Sequence, residues 1–231
     1  MDMVGRNSLS KGPELMDQFF NSRAAEYDGH MEENVKGFNE LYRMVAAAVG
    51  STDESWRILD LGCGTGLELG PIFDLVPNAL IDGIDVSEQM LCLLREKYAE
   101  REEQLSLAKA SYLDFDMGEE EYHRVVSVMS LHHLVPAVKL QLYTEIQAAL
   151  IPGGLYVEGD YTVGEEEEKR LLAEHAATVG SVEGGDRRAF HVDIPFSLAT
   201  YDRTLKEAGF GRVRLLWVRG SACVIQAEKS R

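Results

Sequence analysis

A chain of 231 residues, 45% of them hydrophobic, suits one large α/β domain and is too apolar for wholesale disorder. A formal net charge of -16 argues against a nucleic-acid partner, because phosphate neutralisation supplies most of the affinity in such complexes. No apolar run approaches the roughly 20 residues that span a bilayer. Residues 1–13 hold no apolar signal region, and Cys63, Cys92 and Cys223 form no C-x-x-C pair, so a cytoplasmic protein without a disulfide framework or structural zinc site is expected.

In chain order, Phe19, Phe20, Ala24 and Tyr27 fall at helical spacing, as do Phe38, Leu41, Tyr42, Val45 and Val49, and Gly50 ends the second helix. The period then shortens. Arg57 to Leu61 reads as a strand, Leu67 to Val76 as a helix, Leu80 to Ile84 as a strand, and Ser87 to Glu103 as a helix capped by Ser87. Leu105 to Ala108 and Arg124 to Met129 are further strands. Val138 to Leu150 is a helix closed by the turn Pro152-Gly153-Gly154, and Leu155 to Gly159 is a fifth strand. Glu165 to Val179 and Ser197 to Ala208 are helices, separated by a Gly-rich loop over Ser181 to Asp186, and Val213 to Val218 and Ala222 to Ala227 close the chain as strands. This alternation predicts an α/β fold, a Rossmann-like seven-stranded and mostly parallel sheet with helices on both faces.

The chemistry starts at Asp60-x-Gly62-x-Gly64-x-Gly66. Glycines between a strand and a helix let backbone approach a ligand closely. The spacing is not that of a dinucleotide fingerprint, which would need glycine at Leu67, and no phosphate-binding G-x-x-x-x-G-K-[ST] exists. Asp85 ends the second strand about 20 residues on, where a carboxylate can accept hydrogen bonds from both hydroxyls of a ribose.

Four segments together resemble the class I S-adenosyl-L-methionine (SAM) dependent methyltransferases: residues 58–66, residues 83–91, Val126 to Leu134 with Ser130-Leu131-His132-His133-Leu134, and Leu150-Ile151-Pro152-Gly153-Gly154. Phe20 to Asp28 resembles the N-terminal helix that closes over SAM in many of them. The resemblance implies that Asp60, Gly62, Cys63 and Gly64 line the methionine and ribose part of SAM, and that Asp85 holds the ribose. It implies that Val86 and Met90 lie near adenine, that Ser111 and Tyr112 read its edge, that Met129 passes beneath the sulfonium, and that Tyr27 covers the methionine end. Ser111 stands where many relatives are acidic, and Asp114 is the substitute nearby. The implied domains are an N-terminal helical cover over residues 1–50, a SAM-binding core over 51–160, a small helical lid over 161–196, and closing elements over 197–231.

The implied reaction is in-line methyl transfer to a small-molecule acceptor. SAM chemistry of another kind (cyclisation, cleavage or carboxylation) and a non-catalytic SAM-binding module are the alternatives. Where the acceptor carries a proton, a general base helps. His132, His133 and His191 are the expected catalytic residues, with His30, Asp160 and Asp193 as further candidate bases. His191, Asp193, Asp160 and His175 have a composition that could hold a metal, but nothing in their spacing demands one and no metal is assigned.

Overall fold

The computed structural model describes residues 15–179 and 193–231. One sheet runs through them, built from β1 (Arg57–Leu61), β2 (Leu80–Asp85), β3 (Leu105–Lys109), β4 (Tyr122–Val128), β5 (Leu150–Tyr161), β6 (Arg212–Arg219) and β7 (Ala222–Glu228), in the order β3-β2-β1-β4-β5-β7-β6. β1 to β5 are parallel; β7 runs antiparallel to both β5 and β6. The expected Rossmann-like, mostly parallel sheet is therefore present. Its last two strands form a hairpin whose second arm inserts beside β5.

Residue alternation sends each strand's side chains to two cores. Ile58, Ile81, Val126 and Val157 meet α3 (Phe38–Val49), α4 (Leu69–Leu75) and α5 (Glu88–Lys97). Their neighbours Leu59, Leu61, Val125 and Tyr156 meet α6 (Pro136–Ala149) and α8 (Leu198–Glu207) on the other face. The second core also buries charge. Glu158 accepts hydrogen bonds from Tyr143 Oη at 2.6 Å and Tyr156 Oη at 2.8 Å, and Lys139 Nζ lies 3.7 Å from it, over the ring of Phe196. A buried charge needs such partners.

Three boundaries differ from the sequence reading. The N-terminal helical region divides into α1 (Met16–Arg23), a 3-10 turn at Ala24–Glu26, and α2 (Tyr27–Asn34), and the chain breaks again before Gly37, whose φ is +77°. The helix after Ser87 ends at Lys97 and gives way to a 3-10 stretch, Ala99–Gln104, as Tyr98 leaves helical geometry and its hydroxyl donates to Gly66 O at 2.7 Å. The Pro152-Gly153-Gly154 turn lies inside β5, since Leu150 already pairs with Tyr122 before the register shifts. Ser87 does cap its helix, accepting from Met90 N at 3.2 Å.

Within 161–196, α7 (Glu165–Val179) is the described helix, and the two ends of the stretch are fastened into the core. Thr162 Oγ1 donates to Phe196 O at 2.9 Å, and Ile194 and Phe196 are fully buried. The Gly-rich loop and His191 lie outside the described residues. No described helix is long and apolar enough to cross a membrane.

The contact of α3 with β5 is tight at one point. A Cβ on Gly159 would stand 2.6 Å from Val45 Cγ2. Gly159→Ala is expected to lower unfolding stability by about 1–3 kcal/mol, read as a shift of the urea midpoint. An unchanged midpoint would contradict close docking of α3.

Candidate active site

From β1 the chain builds the sheet outward through β2 and β3, then returns to place β4 on the other side of β1. The connections leaving β1 and β4 therefore diverge at the strands' C-terminal ends, and a crevice opens between them. A cavity of about 390 Å³ occupies this position. Ten of the expected residues line it: Tyr27, Gly62, Gly64, Asp85, Val86, Met90, Ser111, Tyr112, Met129 and His133. They come from five separate stretches of chain, and the strand ends bring them together.

Two features shape the floor. Gly62 has a φ of +74°, and a Cβ there would fall 2.1 Å from Ser130 Oγ, so only glycine lets the turn lie this close to the β4 loop. Met129 adopts φ of 51° without being glycine, a sparsely populated conformation held by its N–H bond to Gly159 O at 2.8 Å. Asp85 faces the cavity from the end of β2. One carboxylate oxygen accepts from Gly64 N at 2.9 Å and the other from Ser87 N at 2.8 Å. Burial raises its pKa, and these backbone donors restrain the rise. Each oxygen keeps one lone pair for a ligand hydroxyl.

Asp60 and Cys63 do not line the cavity. The side chain of Asp60 shares its sheet face with Ile58 and lies buried behind the glycine turn, its oxygens without hydrogen-bond partners in the structure. Glu68, at the start of the following helix, is its acidic neighbour; burial and then the Glu68 charge raise the pKa of Asp60. Burial pushes Glu68 itself up to about 7. Cys63 packs beneath the turn against Gly83, and its N–H donates to Ile84 O at 3.1 Å, so it anchors the turn to the sheet. In the G-x-G turn the glycines face the cavity while the intervening side chain goes to the core.

The cover comes from the N-terminus. Met16, Asp17, Phe20 and Tyr27 close one side of the cavity. α1 is tied down where Asn21 Oδ1 accepts from Ser87 Oγ at 2.7 Å, and α2 where Asp28 accepts from Thr65 Oγ1 and from Lys97 Nζ at 2.6 Å. Burial raises the pKa of the Tyr27 phenol, with Glu68 and Asp85 adding to the effect. Among the described residues, none from 161–196 lines the cavity. That stretch approaches through Asp193, whose Oδ1 lies 3.2 Å from His133 Nδ1. Sequence reasoning missed Met16, Asp17 and Lys109 as lining residues. The position of Lys109 at a strand end could have flagged it; Met16 and Asp17 reach the site only through the docking of α1.

The histidines divide. His133 borders the cavity beside Phe20, their rings 5.9 Å apart. His132 sits behind it. Its Nδ1 is 2.6 Å from Asp160 Oδ1, and its backbone N–H donates to Asp160 Oδ2 at 2.9 Å. Burial alone would lower the pKa of His132, but the Asp160 carboxylate outweighs it and the net shift is upward. Burial and the neighbouring His132 charge lower that of His133. His30 lies on the exposed side of α2, bonded to Asn34, away from the cavity lining.

Residues 58–154 match the family model of a methyltransferase domain. That stretch carries a methyltransferase domain, of the kind found in class I SAM-dependent methyltransferases. Among curated relatives the chain is 23% identical to a carboxy-S-adenosyl-L-methionine synthase of Campylobacter fetus subsp. fetus, over 67% of this chain and 65% of that protein. It is 32% identical to a malonyl-[acyl-carrier protein] O-methyltransferase of Bacillus cytotoxicus over 36% of this chain and 29% of that one. The chain thus spans less than two thirds of either relative. In fold it is similar to human N-acetylserotonin methyltransferase in complex with SAM, with a TM-score of 0.66 and 18% identity over 94% of this chain and 59% of the other.

The cofactor of this family is SAM, and the site suits it. The glycine cradle admits a ligand against backbone, Asp85 is aimed into the cavity, and behind the turn burial raises the pKa values of Asp60 and Glu68, so a cation bound nearby would favour their ionised forms.

The buried acid at Glu68 has a measurable consequence for the free protein. Its folded pKa of about 7 lies above its usual 4.5, so folding favours the protonated form. Its contribution is intact below pH 4.5 and is lost as the pH rises through 7. Glu68→Gln should therefore gain stability over wild type by on the order of 1–3 kcal/mol at pH 8, with the gain vanishing near pH 4.5, as read by denaturant melts. An equal difference at both pH values would show that Glu68 is not held protonated.

Proposed function

We propose that the chain transfers the methyl group of SAM to a small-molecule acceptor by in-line displacement. The observation that carries this reading is the cavity at the β1/β4 crevice, which joins the Asp85 carboxylate, a glycine cradle and a histidine-bearing wall. When bound, SAM supplies a methyl carbon already activated by the sulfonium.

The chain's own residues bind, orient and exclude. Asp85 accepts the ribose hydroxyls while Gly64 N–H keeps the carboxylate in place. Val86 and Met90 give an apolar wall for adenine, and Ser111, Tyr112 and Asp114 stand at its edge. The Ser111 hydroxyl already accepts from Leu113 N at 3.2 Å, so Asp114 is the better partner for an exocyclic amine. Met129 and the Gly62 turn support the methionine end, and Tyr27 and Phe20 shut out water above it. His133, backed by His132, is the group that acts on the acceptor, because His133 and Ser130 form the polar part of the wall made otherwise by Phe20, Met129 and Leu134. Holding the acceptor atom in line with the methyl group is a proximity effect, worth several kcal/mol by itself.

A cavity of about 390 Å³ is near the small end for pockets that hold one ligand of drug size. Beside a cofactor that volume favours a small acceptor, and the net charge of -16 disfavours a polyanion. The Campylobacter relative favours a second reading, carboxylation of SAM. A carboxylate donor asks for cationic partners, and Lys109 is the one lysine or arginine among the described lining residues. Methyl transfer is the better fit.

Calorimetry with SAM should give at least about a tenfold weaker affinity for Asp85→Ala, on the order of 1.4 kcal/mol. Turnover with an acceptor panel should release S-adenosylhomocysteine. Carboxylated SAM as the product would replace the reading with the second one, and unchanged affinity in Asp85→Ala would remove its cofactor assignment.

A further inference from the structure

Asp193 is remote in sequence from the histidine pair, yet the fold delivers it there. Ile194 N donates to His132 O at 2.6 Å, fixing the stretch that carries Asp193 against the Leu131–His133 turn. Asp193 Oδ1 then stands 3.2 Å from His133 Nδ1 and 3.7 Å from His132 Nε2. One donor atom from each of the three residues lies within 4.8 Å of the other two. We propose that His132, His133 and Asp193 bind a divalent transition cation of the Zn²⁺ type at the wall of the cofactor cavity.

Three observations support this beyond proximity. Two imidazoles and one carboxylate are a donor set suited to a borderline ion, and three protein ligands leave coordination positions open. The outer shell is in place: His132 Nδ1 is bonded to Asp160 Oδ1 at 2.6 Å, which holds a ring proton on Nδ1 and leaves Nε2 as the nitrogen on the Asp193 side. Asp160 is itself fixed by the N–H groups of His132, at 2.9 Å, and Tyr161, at 2.7 Å. Finally, the site opens in a useful direction. His132 and His133 are buried, Asp193 is partly exposed, and His133 borders the cavity. A ligand in that cavity can therefore reach the open positions.

This differs from the metal set that the sequence could offer. Asp160 serves as a hydrogen-bond partner behind the site, His175 takes no part in the cluster, and His191 lies outside the described residues. On the methyl-transfer reading, the cation would polarise and orient an oxygen, nitrogen or sulfur atom of the acceptor. Binding of the cation does not itself depend on that reading.

The full chain, made without a polyhistidine tag and stripped with chelator, is titrated with Co²⁺ and then Zn²⁺. SAM affinity is measured in parallel as the check on folding. The expected result is one equivalent of Co²⁺ with visible d–d absorption, displaced by Zn²⁺. Asp193→Ala should abolish the spectrum, and Asp160→Asn, which keeps all three donors, should weaken binding about tenfold or more. SAM affinity should stay within about twofold in both variants, far less than the tenfold that 1.4 kcal/mol represents. Wild-type protein that binds SAM but neither Co²⁺ nor Zn²⁺ overturns the proposal, as does a cobalt spectrum unchanged by Asp193→Ala. Loss of turnover in Asp193→Ala without metal binding in wild type also overturns it and leaves a hydrogen-bonded carboxylate–imidazole chain. Loss of SAM binding in wild type would instead strike the methyltransferase reading, whatever the metal result.

Discussion

Parallel strands that leave β1 in opposite directions cannot cover the space above it. Each crossover helix packs back on its own side of the sheet, so the loops after β1 and β4 part at the strands' C-terminal ends. Every other feature of the site depends on that gap. The glycine turn lies at its floor, Asp85 and Ser111 reach it from one side, and Met129 and His133 from the other. The N-terminal helices then close it through bonds to groups on the rim, Thr65, Ser87 and Lys97.

Electrostatics gives the gap its polarity. Asp60, Glu68 and Asp85 gather carboxylates at the β1/β2 end, where burial makes anionic charge costly and a cationic ligand correspondingly welcome. At the β4/β5 end, Asp160 and Asp193 alternate with His132 and His133. Carboxylates at this end are paired with imidazoles, while Asp60 and Glu68 are left facing each other. That contrast sets a carboxylate-rich end apart from an imidazole-bearing end around one cavity. Beneath them, Lys139 and Glu158 keep a charged pair inside the apolar core, Glu158 standing on the same strand as Asp160.

Much of this was legible because it is written in neighbouring residues. Backbone conformation at Gly62, the cap at Ser87 and the strand end at Asp85 are set by a few adjacent side chains, and alternation of apolar residues marks β1 and β2. The boundaries that moved had non-local causes: Tyr98 turns to reach Gly66, and Leu150 joins β5 early because Tyr122 offers it a partner. Cys63 and Asp60 lie behind the cavity lining for a related reason. A glycine motif shows that a ligand approaches, but not which way each intervening side chain turns.

The amino-acid order by itself determined the α/β class, the cofactor family and the chief cavity-lining residues, because local geometry and strand-end position are encoded within short windows. Only the tertiary structure decided that β7 enters between β5 and β6, and that Met16 and Asp17, and not residues 161–179, join Phe20 and Tyr27 in lining the cavity. It alone brought Asp193 to His132 and His133. Those contacts join residues about 60 or more positions apart, and chain crossings over a shared sheet fix them without any local propensity to record them.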